Sequence, residues 1–193
     1  MRVLVLYAHP VETSYSAALH RATVEALAAA GYEVDDCDLY AEGFNPVMSR
    51  QERLNYHDEA ICTEPVQQYV DRLRAAQALV LCTPVWNYGY PAILKGFIDR
   101  VFLPGVSFKL VNGKVAPALR HIRKIAAVTT YGGTRLRTIL MGDAPRKAFK
   151  RTLRALVYPF ARSKYLALYD MNRATDQQRV AFLTRVSTEM GKF

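Results

Sequence analysis

Residues 3–8 read Val-Leu-Val-Leu-Tyr-Ala, apolar at every position. A strand with one wet face would alternate, so this run predicts a strand covered on both sides of a parallel sheet. Residues 14–30 are rich in Ala and Leu, contain neither Gly nor Pro, and stop at Gly31; they predict a helix closed by a glycine C-cap. The two patterns then repeat. Strands are expected at 33–38, 78–83, 124–130 and 164–169, and helices at 64–76, 91–102, 145–157 and 176–190. Two stretches fall outside the alternation: 39–63, polar and aromatic, and 103–123, which holds Gly105, Gly113 and Pro117. Loops of this length inside a compact unit are usually functional, so both are expected to form lids or interface segments.

Strict β/α alternation joined by right-handed crossovers predicts an α/β fold, with a parallel sheet carrying helices on both faces. Five strands in 193 residues fit the doubly wound, flavodoxin-like order 2-1-3-4-5 better than a six-stranded dinucleotide fold. That length suits one domain spanning 1–193. The chain is 51% hydrophobic and 22% charged, an ordinary globular composition that excludes a disordered or fibrous protein. No apolar run reaches the roughly 18 residues of a membrane helix. The first strand begins immediately after Arg2 with no signal-peptide pattern, so a cytoplasmic protein without stable membrane insertion is expected. Cys37, Cys62 and Cys82 stand far apart in no metal-ligand spacing; they read as small buried hydrophobes, and no metal is expected.

The net charge of +9 is unevenly spread. Residues 1–100 carry 8 basic and 13 acidic side chains (−5), and residues 101–193 carry 18 and 4 (+14). Arg135, Arg137, Arg146, Lys147, Lys150, Arg151 and Arg154 supply much of the excess. They form either a solvated helix face or a surface for an anionic ligand. Without a helix-turn-helix, zinc-finger or RNA-binding signature, nucleic acid is not an expected partner.

In an open α/β sheet, ligands bind beyond the C-terminal strand ends at the switch point, so three loops must be read together. After the first strand, His9-Pro10-Val11-Glu12-Thr13-Ser14-Tyr15-Ser16 places hydroxyls at a helix N-terminus. These serve either as plain N-caps or as a phosphate site made of hydroxyls and free N–H groups. Neither GxxxxGK[ST] nor GxGxxG occurs, which disfavours a nucleotide triphosphatase or a Rossmann dehydrogenase. After the third strand, Pro84-Val85-Trp86-Asn87-Tyr88-Gly89-Tyr90 puts three large aromatics in a loop, a stacking wall for a flat ring, with Asn87 offering a donor and an acceptor to a heteroaromatic edge. After the fourth, Thr129-Thr130-Tyr131-Gly132-Gly133 is either a tight turn or a place where backbone N–H groups come close to a ligand.

With these loops in view, the chain resembles the flavin-dependent NAD(P)H:quinone oxidoreductases, the family of DT-diaphorase, and the related azoreductases. The resemblance runs through residues 7–16, Asp38-Leu39-Tyr40, Phe44-Asn45-Pro46, residues 84–102 with the distinctive Pro-Ala-Ile-Leu-Lys-Gly, and 129–133. It implies that Ser14, Tyr15 and Ser16 bind the flavin phosphate. Pro84, Val85, Trp86, Asn87 and Tyr88 would line the ring, and Thr130, Tyr131, Gly132 and Gly133 its pyrimidine side. His9 is similar to a histidine near the flavin, and His9 and Tyr131 are the catalytic candidates. The Tyr–His pair that assists quinone reduction in DT-diaphorase does not carry over, because Met141 stands where the His would align before Gly142-Asp143. The chain is also shorter than DT-diaphorase, which favours FMN over FAD. The expected reaction passes hydride from NAD(P)H through the flavin to a quinone or another small aromatic acceptor, in a homodimer with sites at its interface. Positive potential around the flavin would favour the two-electron reduced state over an electron carrier's semiquinone. A second expectation is an ancillary flavin-binding subunit of a membrane potassium-efflux system.

Overall fold

The computed structural model describes all residues, 1–193. Its central sheet is parallel and has the order β2-β1-β3-β6-β7. The strands are β1 (Arg2–Tyr7), β2 (Glu33–Asp38), β3 (Ala78–Val85), β6 (Lys124–Tyr131) and β7 (Arg162–Leu168). Ignoring a separate hairpin, this is the expected 2-1-3-4-5 arrangement. Val3, Val5, Val80 and Val128 face one apolar cluster, and Leu4, Leu6, Leu79, Leu81 and Ala127 the other. That explains the unbroken apolar runs of β1, β3 and β6, which are covered on both sides.

One face is covered by α1 (Tyr15–Ala29) and α8 (Asp176–Gly191). Both begin with side-chain caps: Ser14 Oγ accepts from the Ala17 N–H, and Thr175 forms a capping box with Gln178. The other face is covered by α3 (Gln67–Ala75), α4 (Ala92–Val101) and a helical run over 144–156. That run is not the uniform helix expected. It consists of α6 (Ala144–Lys147), a π-helical segment (Ala148–Leu153) and α7 (Arg154–Leu156). Six residues are little more than one turn, too few for hydrophobic periodicity to tell π from α winding, so the segment was invisible in the pattern.

The two long stretches contain more structure than loops. Within 39–63 lies α2 (Arg50–Asn55), started by a Ser49–Glu52 capping box. Within 103–123, β4 (Phe108–Val111) and β5 (Lys114–Pro117) form an antiparallel hairpin, which raises the strand count above five. A further short helix, α5 (Arg135–Leu140), follows β6 behind its Thr134 N-cap.

The Lys-Gly of the distinctive 91–96 stretch has a packing reason. A Cβ on Gly96 would lie 2.3 Å from the Pro46 carbonyl oxygen and 2.5 Å from the Pro46 Cα. Only glycine lets α4 approach the loop so closely. One turn later Arg100, 9% exposed, donates from Nε to Glu52 at 2.7 Å and from Nη1 to the Asn45 carbonyl. Gly96 and Arg100 together fasten the 44–52 segment to the sheet's helical layer.

Candidate functional site

The first loop is ordered by His9. Its Nδ1 accepts from the Val11 N–H at 3.1 Å and lies 3.0 Å from Ser14 Oγ. A backbone N–H can only donate, so in this arrangement the neutral ring carries its proton on Nε2. Because Ser14 Oγ takes the Ala17 N–H, the N–H groups of Tyr15 and Ser16 are the open donors of the first turn of α1, at the positive end of a 15-residue helix. The Tyr15 phenol turns elsewhere, donating to the Arg179 carbonyl at 2.7 Å, and burial pushes its pKa up to about 12. Only its main chain faces the loop's donor set.

The second loop is strained. Asn87 and Tyr88 hold consecutive positive φ angles, 48° and 59°, in a two-residue turn closed by paired Trp86 and Gly89 backbone hydrogen bonds of 3.0 and 2.8 Å. Asn tolerates this conformation; a tyrosine there costs energy, and such outliers cluster at binding sites. The turn thrusts Trp86 outward, 41% exposed, with its ring edge-on to His9 at 5.7 Å between centroids. The first and second loops therefore touch. Pro84, at the end of β3, accepts the Thr83 hydroxyl at its carbonyl.

The third loop meets the second across a cavity of about 300 Å³ lined by Val85, Asn87, Tyr88, Tyr131, Gly132 and Gly133, with Arg137 and Asn172. A Cβ on Gly133 would lie 3.7 Å from the Tyr88 hydroxyl, and one on Gly132 only 3.1 Å from Asn172 Nδ2. Thr130 is buried in β6. Tyr131 is 1% exposed and its hydroxyl points inward, donating to Asp143 at 2.8 Å and paired with the Tyr165 hydroxyl, while its ring stacks on Tyr169. Burial, then Tyr165 and Asp143, holds this phenol far above its ordinary pKa. Both hydrogen-bonding capacities of the hydroxyl are used inside the protein.

Asn172 was missed in the sequence, and Arg137 was read there only as part of the basic surface, not as part of this cavity. Asn172 follows β7, whose loop was not read with the other three although β7 lies beside β6. Asp170, at φ 57°, turns the chain back, and its N–H bonds the Gly133 carbonyl at 2.9 Å. A second cavity, about 510 Å³, opens on the other side of His9 between the loops after β1 and β2. No group of three or more His, Cys, Asp or Glu could hold a metal ion.

The family pattern described as flavodoxin-like fold matches residues 1–181. The chain belongs to that family. Among its relatives, this flavodoxin-like chain is 30% identical over 148 residues to NAD(P)H dehydrogenase (quinone) 1 of Rattus norvegicus, covering 68% of this chain and 54% of the relative. It is 29% identical over 108 residues to an FMN-dependent NADH:quinone oxidoreductase of Coprothermobacter proteolyticus, covering 52% and 51%. The chain thus spans about half the length of these relatives. The solved NAD(P)H:quinone oxidoreductase from Methanothermobacter marburgensis superimposes with a TM-score of 0.83 at 25% identity, covering 99% of this chain and 98% of that one.

Proposed function

We propose that this flavodoxin-like protein is a flavin-dependent NAD(P)H oxidoreductase that delivers two electrons to a quinone or similar small aromatic acceptor, with FMN as its prosthetic group. The observation that carries the reading is the meeting of three loops: His9 touches Trp86, and the strained Asn87–Tyr88 turn faces Gly132 and Gly133 across one cavity. The donor set fits the group. The open N–H groups of Tyr15 and Ser16 suit a phosphate at the helix N-terminus, and the Ser14 hydroxyl, donating to His9 Nδ1 and accepting the Ala17 N–H, holds that loop in place. Trp86 offers a ring face, Asn87 a polar edge, and the Gly132 and Gly133 backbone a close approach. When bound, FMN supplies the two-electron redox chemistry, and the protein's part is binding, orientation and electrostatics. The names of the quinone oxidoreductase relatives, one of them FMN-dependent, point the same way.

In this reading Gly132 and Gly133 direct N–H groups toward charge that develops on reduction, as an oxyanion hole does. His9, its neutral ring protonated at Nε2, packs against Trp86. The Tyr131 phenol, sealed against Asp143 and Tyr165, holds the fourth-strand loop in place and is not the proton donor to substrate. Nicotinamide nucleotide and acceptor would use the same open place in turn. We further propose a homodimer, supported by Leu136, Ile139, Leu140 and Met141, which stand exposed on and just after α5 beside the cavity; light scattering tests it.

The decisive experiment is a visible spectrum of the purified protein, mass measurement of the acid-extracted chromophore, and nicotinamide oxidation with a quinone panel. Protein that stays colourless in excess FMN refutes the reading. Trp86→Ala should weaken FMN binding by roughly 5- to 150-fold, since one aromatic stacking contact contributes about 1–3 kcal/mol; fluorescence titration measures it.

A further inference from the structure

At the end of the sheet opposite the cavity, two turns are laced together. The Tyr158 N–H bonds the Ile122 carbonyl at 3.2 Å, the Arg162 N–H bonds the Arg123 carbonyl at 3.1 Å, and the Leu119 N–H bonds the Leu156 carbonyl at 3.1 Å. At the apex of the second turn stands Phe160, 82% exposed, its ring 5.9 Å from Tyr158. The Arg123 guanidinium covers the other ring of that pair, 3.9 Å from the Tyr158 centroid. Arg154 donates to the Ala161 carbonyl at 3.3 Å, so it too reaches the turn. Arg120 and Arg162, each next to a residue of the laced turns, and Arg151, three residues before Arg154 in the same helical run, are exposed.

None of Arg120, Arg123, Arg151, Arg154 and Arg162 has a carboxylate within 4.0 Å. Between residues 101 and 169 there are fourteen Lys and Arg against one acid, Asp143, and that acid is buried at the other end of β6. Two acids at this end of the fold are engaged elsewhere, Glu33 with Arg2 and Glu189 with Lys164. Positive charge is thus concentrated around an exposed aromatic ring with no carboxylate at ion-pair distance.

We propose that this edge, Phe160 within its collar of five arginines, docks onto an anionic lipid bilayer surface. A bilayer interface accepts one apolar side chain among the acyl chains while arginines meet the headgroup phosphates. A single-stranded nucleic acid is the poorer fit, because it calls for a groove with successive stacking rings. Here one ring, Phe160, stands exposed at the turn, and the Tyr158 face is already taken by Arg123. No helix is long and apolar enough to cross a membrane, so the contact is peripheral. The docking edge lies about 20 Å from the cavity by the length of β7, which leaves the cavity mouth uncovered. The inference stands independently of the redox reading.

The test is co-sedimentation of the purified protein with vesicles of phosphatidylcholine alone or mixed with phosphatidylglycerol, at low and high salt. Strong binding to the mixed vesicles that falls as salt rises supports the proposal. Each of Arg120→Ser and Arg162→Ser should lower the partition coefficient roughly fivefold, and Phe160→Ser should lower it with no change in melting temperature. Equal binding to both vesicle types, no binding to either, or wild-type binding by Phe160→Ser overturns it. So does competition in which polyuridylate binds the arginine collar and the mixed vesicles do not.

Discussion

Replacing Gly96 with alanine separates helix propensity from packing, because the two predict opposite signs. In a solvent-facing helix, Gly→Ala stabilises by about 1 kcal/mol. At Gly96 the new Cβ would sit 2.3 Å from the Pro46 carbonyl oxygen and 2.4 Å from its Cβ, where ordinary contacts begin at 3.4 Å. Helix and loop must part by about 1 Å. The loop cannot give easily, since Arg100 holds the Asn45 carbonyl and Glu52, and the Val47 N–H is bound to Asn45 Oδ1 at 2.9 Å. Inserting a methyl into a fixed backbone contact costs about 3 kcal/mol at the upper end of overpacking. Subtracting the propensity gain leaves a destabilisation of about 2 kcal/mol. For a chain of this size that lowers Tm by roughly 4–8 °C. Thermal and urea unfolding of Gly96→Ala should be compared with Gly191→Ala in α8, where nothing lies within 4 Å of the added Cβ and no loss is expected. A Gly96→Ala protein that melts at or above the wild type would refute the packing account of this glycine.

Tyr131→Phe removes the donor to buried Asp143 and should destabilise by about 1–3 kcal/mol; if instead stability is unchanged while quinone reduction collapses, the phenol is a proton donor after all. Tyr88→Gly relieves a left-handed tyrosine and should stabilise the flavin-free protein by about 1 kcal/mol, while calorimetry or fluorescence shows weaker FMN binding because a wall of the cavity is gone. Acid should unfold the protein through Asp35 and Glu52. Burial raises both pKa values, but hydrogen bonds from Arg72 and Arg2 to Asp35, and from the Ser49 N–H and Arg100 to Glu52, outweigh it and leave both depressed. Depressed carboxylates stabilise the fold above their unfolded pKa of about 4 and lose that contribution as pH falls through the folded values. Tm should therefore hold near neutrality and drop below about pH 4, with a shallower drop in Asp35→Asn.

The order of the sheet was legible because burial of β1, β3 and β6 on both faces leaves a signature in every residue: continuous apolar runs interrupted by capped helices at regular intervals. The loops at the switch point were legible for a related reason, since aromatics and paired glycines after a strand's C-terminal end have no use in a core. Local pattern could not supply what depends on contacts between distant segments. The hairpin of β4 and β5 pairs within a stretch that lacks strong alternation, and the π-helical segment, six residues with Phe149 and Leu153 buried, is too short to leave a period of its own. The inward turn of the Tyr131 hydroxyl is set by Asp143 and Tyr165, and that of Tyr15 by the Arg179 carbonyl. Asn172 reaches the cavity only because β7 lies beside β6. Sequence periodicity determined which faces are apolar, and so the layers and the strand order. Tertiary packing alone decided where each polar atom points, because that depends on which partner another part of the chain brings within hydrogen-bonding reach.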